Sequence, residues 1–231
     1  MVLSYLCVSS GGFYMSRMEV TQLVLGMVST NCYIFSNQDT KEVILIDPAA
    51  QSETIEEFMN QRGMIPKAIL LTHGHFDHVM AASALANSYR IPIYASKHEV
   101  DLLEDPKLNL SKRLAGASIA LIPDKLVEDN QMIELIGVTF QVIETPGHTK
   151  GSVCYFVKEE NILFSGDTLF RESVGRTDFP TGNGTQLLQS IRQKLLPLGD
   201  EVRVYSGHGQ ATTIKYEKEN NPYLNDSAFW D

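Results

Sequence analysis

Three shortages narrow the chemistry open to this chain. No apolar run approaches the roughly 18 residues that a membrane-crossing helix requires, so no membrane partner is expected. Cysteine is scarce: Cys7, Cys32 and Cys154 are the three in 231 residues. They are odd in number and in no C-x-x-C spacing, which argues against a secreted disulfide framework and for free thiols in a cytoplasmic compartment. Positive charge is also short, with 19 Lys and Arg against 28 Asp and Glu and a formal net charge of −9. A protein that grips nucleic acid by its phosphates is normally basic, so no nucleic-acid partner is expected. Low-complexity segments and repeats with a 20–50-residue period are absent too.

What the chain does have is globular composition, 43% hydrophobic and 20% charged. Its length suits one domain with enough core to need no disulfide staples. Residues 1–18 are set apart as an N-terminal extension, disordered or mis-started, with Met15 or Met18 as alternative starts. That stretch is mildly apolar, but it lacks a basic leader, and Ser4, Tyr5, Ser9 and Ser10 interrupt any signal-peptide core. The catalytic domain is expected to span 19–231.

Within it, β-branched and aromatic runs at 20–25, 32–35 and 43–46 are separated by Gly26, Asn31 and the 37–39 turn. Residues 52–62 carry Ile55, Phe58 and Met59 at helical spacing, with Gly63 as a stop signal. Strands are expected at 68–71 and 91–94, a helix at 79–89, and a helical, irregular stretch from 97 to about 124. The second half reads as strands at 132–136, 139–143, 153–157, 162–164 and 202–205, with helices at 186–195 and 214–219. Many strands with flanking helices and no linker predict one layered α/β or α+β domain.

The chemistry falls at strand ends. Four apolar runs lead within a few residues into His73-Gly-His75-Phe-Asp77-His78, His148, Asp167 and His208. A strand supplies a rigid base, and the loop after it lets a side chain turn toward a shared cleft. A lone loop histidine is usually just solvated, and His98, beside Lys97 and Glu99, is read so. H-x-H-x-D-H is different, since a random chain would produce it with odds on the order of one in several thousand. Three imidazoles and a carboxylate within six residues would repel when protonated and cost desolvation when buried; a cation resolves both. Asp167 in Ser-Gly-Asp-Thr could be a turn residue, as Asp47 before Pro48 is read, but beside five histidines it is taken as a ligand.

These motifs, with Thr145-Pro-Gly-His148-Thr, Gly166-Asp167-Thr and Gly207-His208, resemble those of the metallo-β-lactamase superfamily over about residues 19–222. The resemblance implies an α+β fold, a four-layer αββα sandwich, with the metals in a cleft between sheet edges. It also implies that His73, His75 and His148 hold one metal, that Asp77, His78 and His208 hold a second, and that Asp167 bridges them. Stretches such as TPGHTKGSVCYF, LFSGDTLFRESVGRTDFPTG and GHGQATTIKYEKENNPYL resemble the short stand-alone relatives of glyoxalase II, the hydroxyacylglutathione hydrolases. Full-length members add a C-terminal helical domain, and they carry Lys and Tyr where this chain has Arg176 and Asp178, and Tyr where it has Gln210.

The resemblance implies a metal-dependent hydrolase acting on a small-molecule thioester such as S-D-lactoylglutathione. Two divalent ions would serve as cofactors, zinc being the first expectation and iron or manganese also suited to these ligands. Asp77 and Asp167 are the expected catalytic carboxylates, and Arg176 the expected substrate-binding residue. Persulfide dioxygenases of the same superfamily carry a loop like Gly175-Arg176-Thr177-Asp178-Phe179. On that alternative a single iron would bind His73, His148 and Asp167. A metal-dependent nuclease is a third reading, disfavoured by the acidic balance.

Overall fold

The computed structural model describes residues 17–225. Most of the extension expected at 1–18 lies outside them, as does Cys7. Two six-stranded sheets form the centre of the molecule. The first contains β1 (Met18–Leu25), β2 (Thr30–Asn37), β3 (Glu42–Ile46), β4 (Ile65–Leu70), β5 (Ile93–Ser96) and β6 (Lys125–Val127), in that spatial order. The second contains β7 (Met132–Leu135), β8 (Val138–Glu144), β9 (Val153–Val157), β10 (Ile162–Gly166), β13 (Arg203–Ser206) and β14 (Thr212–Thr213), again neighbour to neighbour. β11 (Leu169–Phe170) and β12 (Ser173–Val174) make a small separate ribbon.

Side chains alternate across each strand, and here both faces are apolar, so each sheet is buried on both sides. On β2, Tyr33 and Phe35 point toward the second sheet while Cys32 and Ile34 point away. The inter-sheet core joins Tyr33, Phe35, Ile44 and Leu70 to Phe140, Tyr155 and Phe164. Phe35 meets Phe140 and Phe164 edge-on, with centroids 5.7 and 5.6 Å apart. That geometry adds about 0.5–1.5 kcal/mol per pair beyond burial. Outside the first sheet lie α1 (Ser52–Asn60), α2 (Phe76–Val79), α3 (Ala82–Tyr89) and α4 (Val100–Glu104), with Ile55, Met59, Leu85 and Leu103 packed against Cys32, Ile34 and Leu45. Outside the second lie α5 (Gly184–Ser190), α6 (Ile214–Asn220) and α7 (Pro222–Asn225); Leu187, Leu188 and Ile214 pack against Cys154, Phe156 and Leu163. The result is a four-layer αββα sandwich. Cys32 and Cys154 are free and buried, one in each outer layer. Among the described residues no helix is long and apolar enough to cross a membrane.

The expected elements recur with small shifts. The strand expected at 91–94 runs from Ile93 to Ser96, because Pro92 has no N–H to give a ladder. The irregular middle contains the short α4 and a helical turn at Ser111–Ala115. The added strands β6, β11, β12 and β14 have only two or three residues each, too few to show a period.

Topology gathers the reactive residues at one edge. β3 and β4 run parallel. β8 and β10 each pair antiparallel with β9, and β13 runs parallel to β10, so these three share a direction. The C-terminal ends of five strands therefore open on a common cleft. Sheet pairing also follows the same sense twice: antiparallel, antiparallel, parallel along β1–β4, and again from β8 through β9 and β10 to β13.

Candidate metal centre

His73 follows β4 by a short turn, and α2 carries Asp77 and His78 directly after it. His148 follows β8, Asp167 caps the end of β10, and His208 lies beyond β13. The His208 loop is pinned by backbone hydrogen bonds, Asn31 N–H to Gly207 O at 2.7 Å and Gly207 N–H to Gly166 O at 2.8 Å. Gly207 permits that approach, because a Cβ there would collide with Asp167 Oδ1 and stand 2.6 Å from His78 Cε1.

Seven side chains converge. His148 Nε2 lies 2.9 Å from His75 Nδ1 and 3.2 Å from His73 Nε2. Asp77 Oδ2 lies 3.5 Å from His78 Nε2 and 3.4 Å from His208 Nε2. Asp167 stands between the two sets. Its Oδ1 is 3.4 Å from His78 Nε2, and its Oδ2 is 3.5 Å from His148 Nε2 and 3.6 Å from His208 Nε2. The trios His73–His75–His148 and Asp77–His78–His208 each place their donor atoms within 4.8 Å of one another.

The remaining ring nitrogens of His73, His78 and His148 are fixed from behind. His148 Nδ1 lies 2.7 Å from the Arg176 carbonyl, so that nitrogen carries the proton and Nε2 is left as a lone-pair donor. Thr72 Oγ1 is 3.1 Å from His73 Nδ1, and Asp47 Oδ2 is 2.9 Å from His78 Nδ1. Thr30 Oγ1 donates to Asp77 Oδ2 at 2.9 Å. Such outer contacts set tautomer and ring direction.

Burial and charge tune the two trios in opposite directions. Burial, reinforced by the other imidazoles, holds His73 and His75 well below the ordinary histidine range. Burial also lowers His148, against the pull of Asp167. Burial opposes charge on His78 too, but Asp77, Asp167 and Asp47 outweigh it and push that ring up to about 10. His208 is raised by Asp77 and Asp167 despite partial burial. Asp77 is driven below the usual carboxylate range, its burial overcome by His78 and His208.

This donor set fits divalent cations. His75 Nε2, His78 Nε2 and Asp167 Oδ1 are buried with no hydrogen-bond partner, a costly condition that a cation coordinated by the latter two would relieve. Two unprotonated imidazole nitrogens 3.2 Å apart otherwise face each other lone pair to lone pair. The cleft above them measures about 320 Å³. Its walls are apolar, with Met27 and Val28 from the β1–β2 turn and Leu114 from the 111–115 turn, exposed by 65%, 46% and 44%. Phe179 closes one side, and Arg176 lies over its ring at 3.8 Å. Arg176 makes a fork to Asp178, with Nε and Nη2 each 2.7 Å from a carboxylate oxygen. His98 stands apart, half-exposed, 3.6 Å from Glu144. A larger groove of about 770 Å³ beside β1, reaching Gln210 and Arg171, contains none of the seven donors.

The match to known proteins agrees with this geometry. Residues 25–208 match the family model described as the metallo-beta-lactamase superfamily. The chain belongs to the metallo-beta-lactamase superfamily. It is 36% identical over 209 residues to the probable metallo-hydrolase YqgX of Bacillus subtilis, covering 90% of this chain and 98% of that one. It is 36% identical over 200 residues to the hydroxyacylglutathione hydrolase GloC of Haemophilus influenzae, covering 86% and 94%. The crystal structure of the B3 metallo-beta-lactamase BLEG-1 superposes with a TM-score of 0.86 at 42% identity, covering 90% of this chain and all of that one.

Within this superfamily fold, sequence reasoning missed Asp47 as part of the centre. Asp47 accepts hydrogen bonds from Thr72 N–H at 2.8 Å and Thr72 Oγ1 at 2.6 Å while its other contact is His78. It holds a left-handed φ of 49°, a strained state for a non-glycine residue. The signal was present: Asp47 ends β3 as Asp167 ends β10, at corresponding places in the twice-used strand pattern. Thr30, which braces Asp77, was missed as well, and no local motif marks it.

Proposed function

We propose that the protein is a binuclear metallohydrolase that cleaves thioesters in the manner of glyoxalase II. The observation that carries this reading is the position of Asp167, whose Oδ2 faces His148 of one trio and His208 of the other while its Oδ1 faces His78. On this reading His73, His75 and His148 hold one ion, Asp77, His78 and His208 hold the other, and Asp167 joins them. Zinc is the proposed metal, with iron and manganese suited to the same donors. Two such ions supply a water acidic enough to ionise near neutral pH and a Lewis acid for the substrate carbonyl.

The chain's own residues do the rest. Asp77, kept ionised by His78 and His208 and fixed by Thr30, orients the attacking water through a carboxylate oxygen. The Arg176 carbonyl keeps His148 in one tautomer. A departing thiolate has a conjugate-acid pKa of about 8.5, so no dedicated proton donor is needed. The apolar walls exclude bulk water and accept the body of the substrate. Arg176 is the proposed anchor for an anionic substrate tail; to serve, its guanidinium exchanges Asp178 for the substrate carboxylate. Similarity to a relative described as a hydroxyacylglutathione hydrolase supports a thioester substrate.

The test is turnover of S-D-lactoylglutathione, followed by thiol release, alongside metal analysis of protein purified without added metal. Two ions per chain, thiol release, and loss of activity in His78→Ala and His208→Ala with the fold retained are expected. The second reading, a mononuclear-iron persulfide dioxygenase, draws on the Gly175–Phe179 motif and on the convergence of His73, His148 and Asp167. A single iron, with activity indifferent to His208→Ala, would decide for it.

A further inference from the structure

Glu99 is a buried acid that the proposed reaction does not use. It sits between β5 and α4 and is 1% exposed. Although it occupies the position before the first turn of α4, its side chain makes no capping hydrogen bond to that helix. Instead Oε1 accepts the backbone N–H of Gly74 at 3.0 Å, the residue between His73 and His75. Its other oxygen, Oε2, is buried and lies against Gly151, three residues after His148, and the Thr149 side chain and Gly151 backbone both favour the charged carboxylate. A Cβ at Gly151 would collide with that oxygen and stand 2.6 Å from Glu99 N. The loop after His148 thus closes directly onto Glu99. A second tie joins the same parts at the surface, where Lys150 Nζ meets Asp101 Oδ2 at 2.6 Å. Burial pushes the Glu99 carboxyl up to about 7, against the pull of the Gly74 N–H. Retaining such a group in a dry position is costly unless it orders something else.

We infer that Glu99 is a positioning residue for the three-histidine trio, a spacer that sets the His73-Gly74-His75 turn against the His148 loop. The inference rests on the reading above that His73, His75 and His148 hold a metal. It predicts selectivity, because Glu99 touches the backbone of both loops of that trio and has no contact with Asp77, His78 or His208. Outer-shell partners of metal ligands are worth about 10–100-fold in affinity.

The experiment is competitive titration of zinc into metal-free wild type, Glu99→Gln, Glu99→Asp and Glu99→Ala with a chromophoric chelator. Melting temperatures of the metal-free forms are measured in parallel. Glu99→Ala should weaken the three-histidine site, identified as the one that His78→Ala retains, about 10–100-fold and leave the other within a few-fold. Glu99→Gln keeps an oxygen for Gly74 N–H and should restore most of the loss. Glu99→Asp, one methylene short, should behave like alanine and decides the matter if the alanine variant does not fold. Equal affinities in all four proteins, or equal loss at both sites tracking melting temperature, would overturn the inference. Wild type that binds no zinc would instead overturn the metallohydrolase reading beneath it.

Discussion

The two donor trios share one cleft yet are built on opposite electrostatic principles. His73, His75 and His148 are all buried, and burial lowers each of them, reinforced by neighbouring imidazoles at His73 and His75 and opposed by Asp167 at His148. His78 and His208 face Asp77 and Asp167, so each is biased toward carrying a proton. The same side chain is thus a ready lone-pair donor in one trio and a proton-competed donor in the other. Burial of like groups lowers a histidine, and an adjacent carboxylate raises it. On the proposed binuclear reading, the difference predicts that the trios bind metal with different pH dependence and different reliance on their supports.

Asp167 is the carboxylate that reaches both trios, so its removal should have the largest effect. Asp167→Ala is expected to lower kcat for thioester hydrolysis by about 10³-fold or more and to reduce zinc below two per chain. Steady-state kinetics with elemental analysis checks this, and unchanged stoichiometry would show that the trios do not share it. Next comes pH. The rings of the first trio sit below their ordinary value and stay deprotonated as pH falls, whereas His78 and His208 sit above it and must release a proton to bind. Lowering pH from 7.5 to 5.5 should therefore strip the Asp77–His78–His208 ion first. Metal content after dialysis at each pH, compared between wild type and His78→Ala, reads the order; loss of both ions together would erase the distinction.

A smaller effect is expected at Thr30, whose hydroxyl supports Asp77 alone. Thr30→Val should weaken the second site by about 10-fold and leave the first unchanged, measured by the same zinc titration. The smallest effect falls on Arg176, outside both trios. Arg176→Ala should raise KM severalfold for a carboxylate-bearing thioester with kcat nearly constant, because binding lost equally from ground and transition states leaves kcat alone. Asp178→Ala, which frees the guanidinium, should lower that KM. Equal changes on charged and neutral thioesters, with a lowered melting temperature, would assign Arg176 to holding the loop that fixes His148.

The particular elements show what could be read in advance. Apolar runs such as 43–46, 153–157 and 162–164 announced strands, and β3, β9 and β10 lie there, buried on both faces. The seven donors were legible because each follows such a run in a few residues, and the structure brings all seven together. Asp47 was not, because alone it is one more acid before a proline, and only its pairing with Thr72 and His78 gives it a part. Glu99, at the start of the irregular 97–124 stretch, was not legible for the same reason.

By itself, then, the sequence determined the layered α+β character and the identity of the seven side chains that gather in the cleft. Hydrophobic period and ligand type are local properties, written within a few residues of each other. Which ring nitrogen faces the cleft, which histidines are neutral and which are held up, and which distant residues brace them were decided only by the tertiary structure. Tautomer and protonation depend on burial, on charges brought from the ends of β3 and β10 and on a hydroxyl from β2, and contacts across 31 or 47 residues, as His78 makes with Asp47 and Thr30 with Asp77, have no local signature.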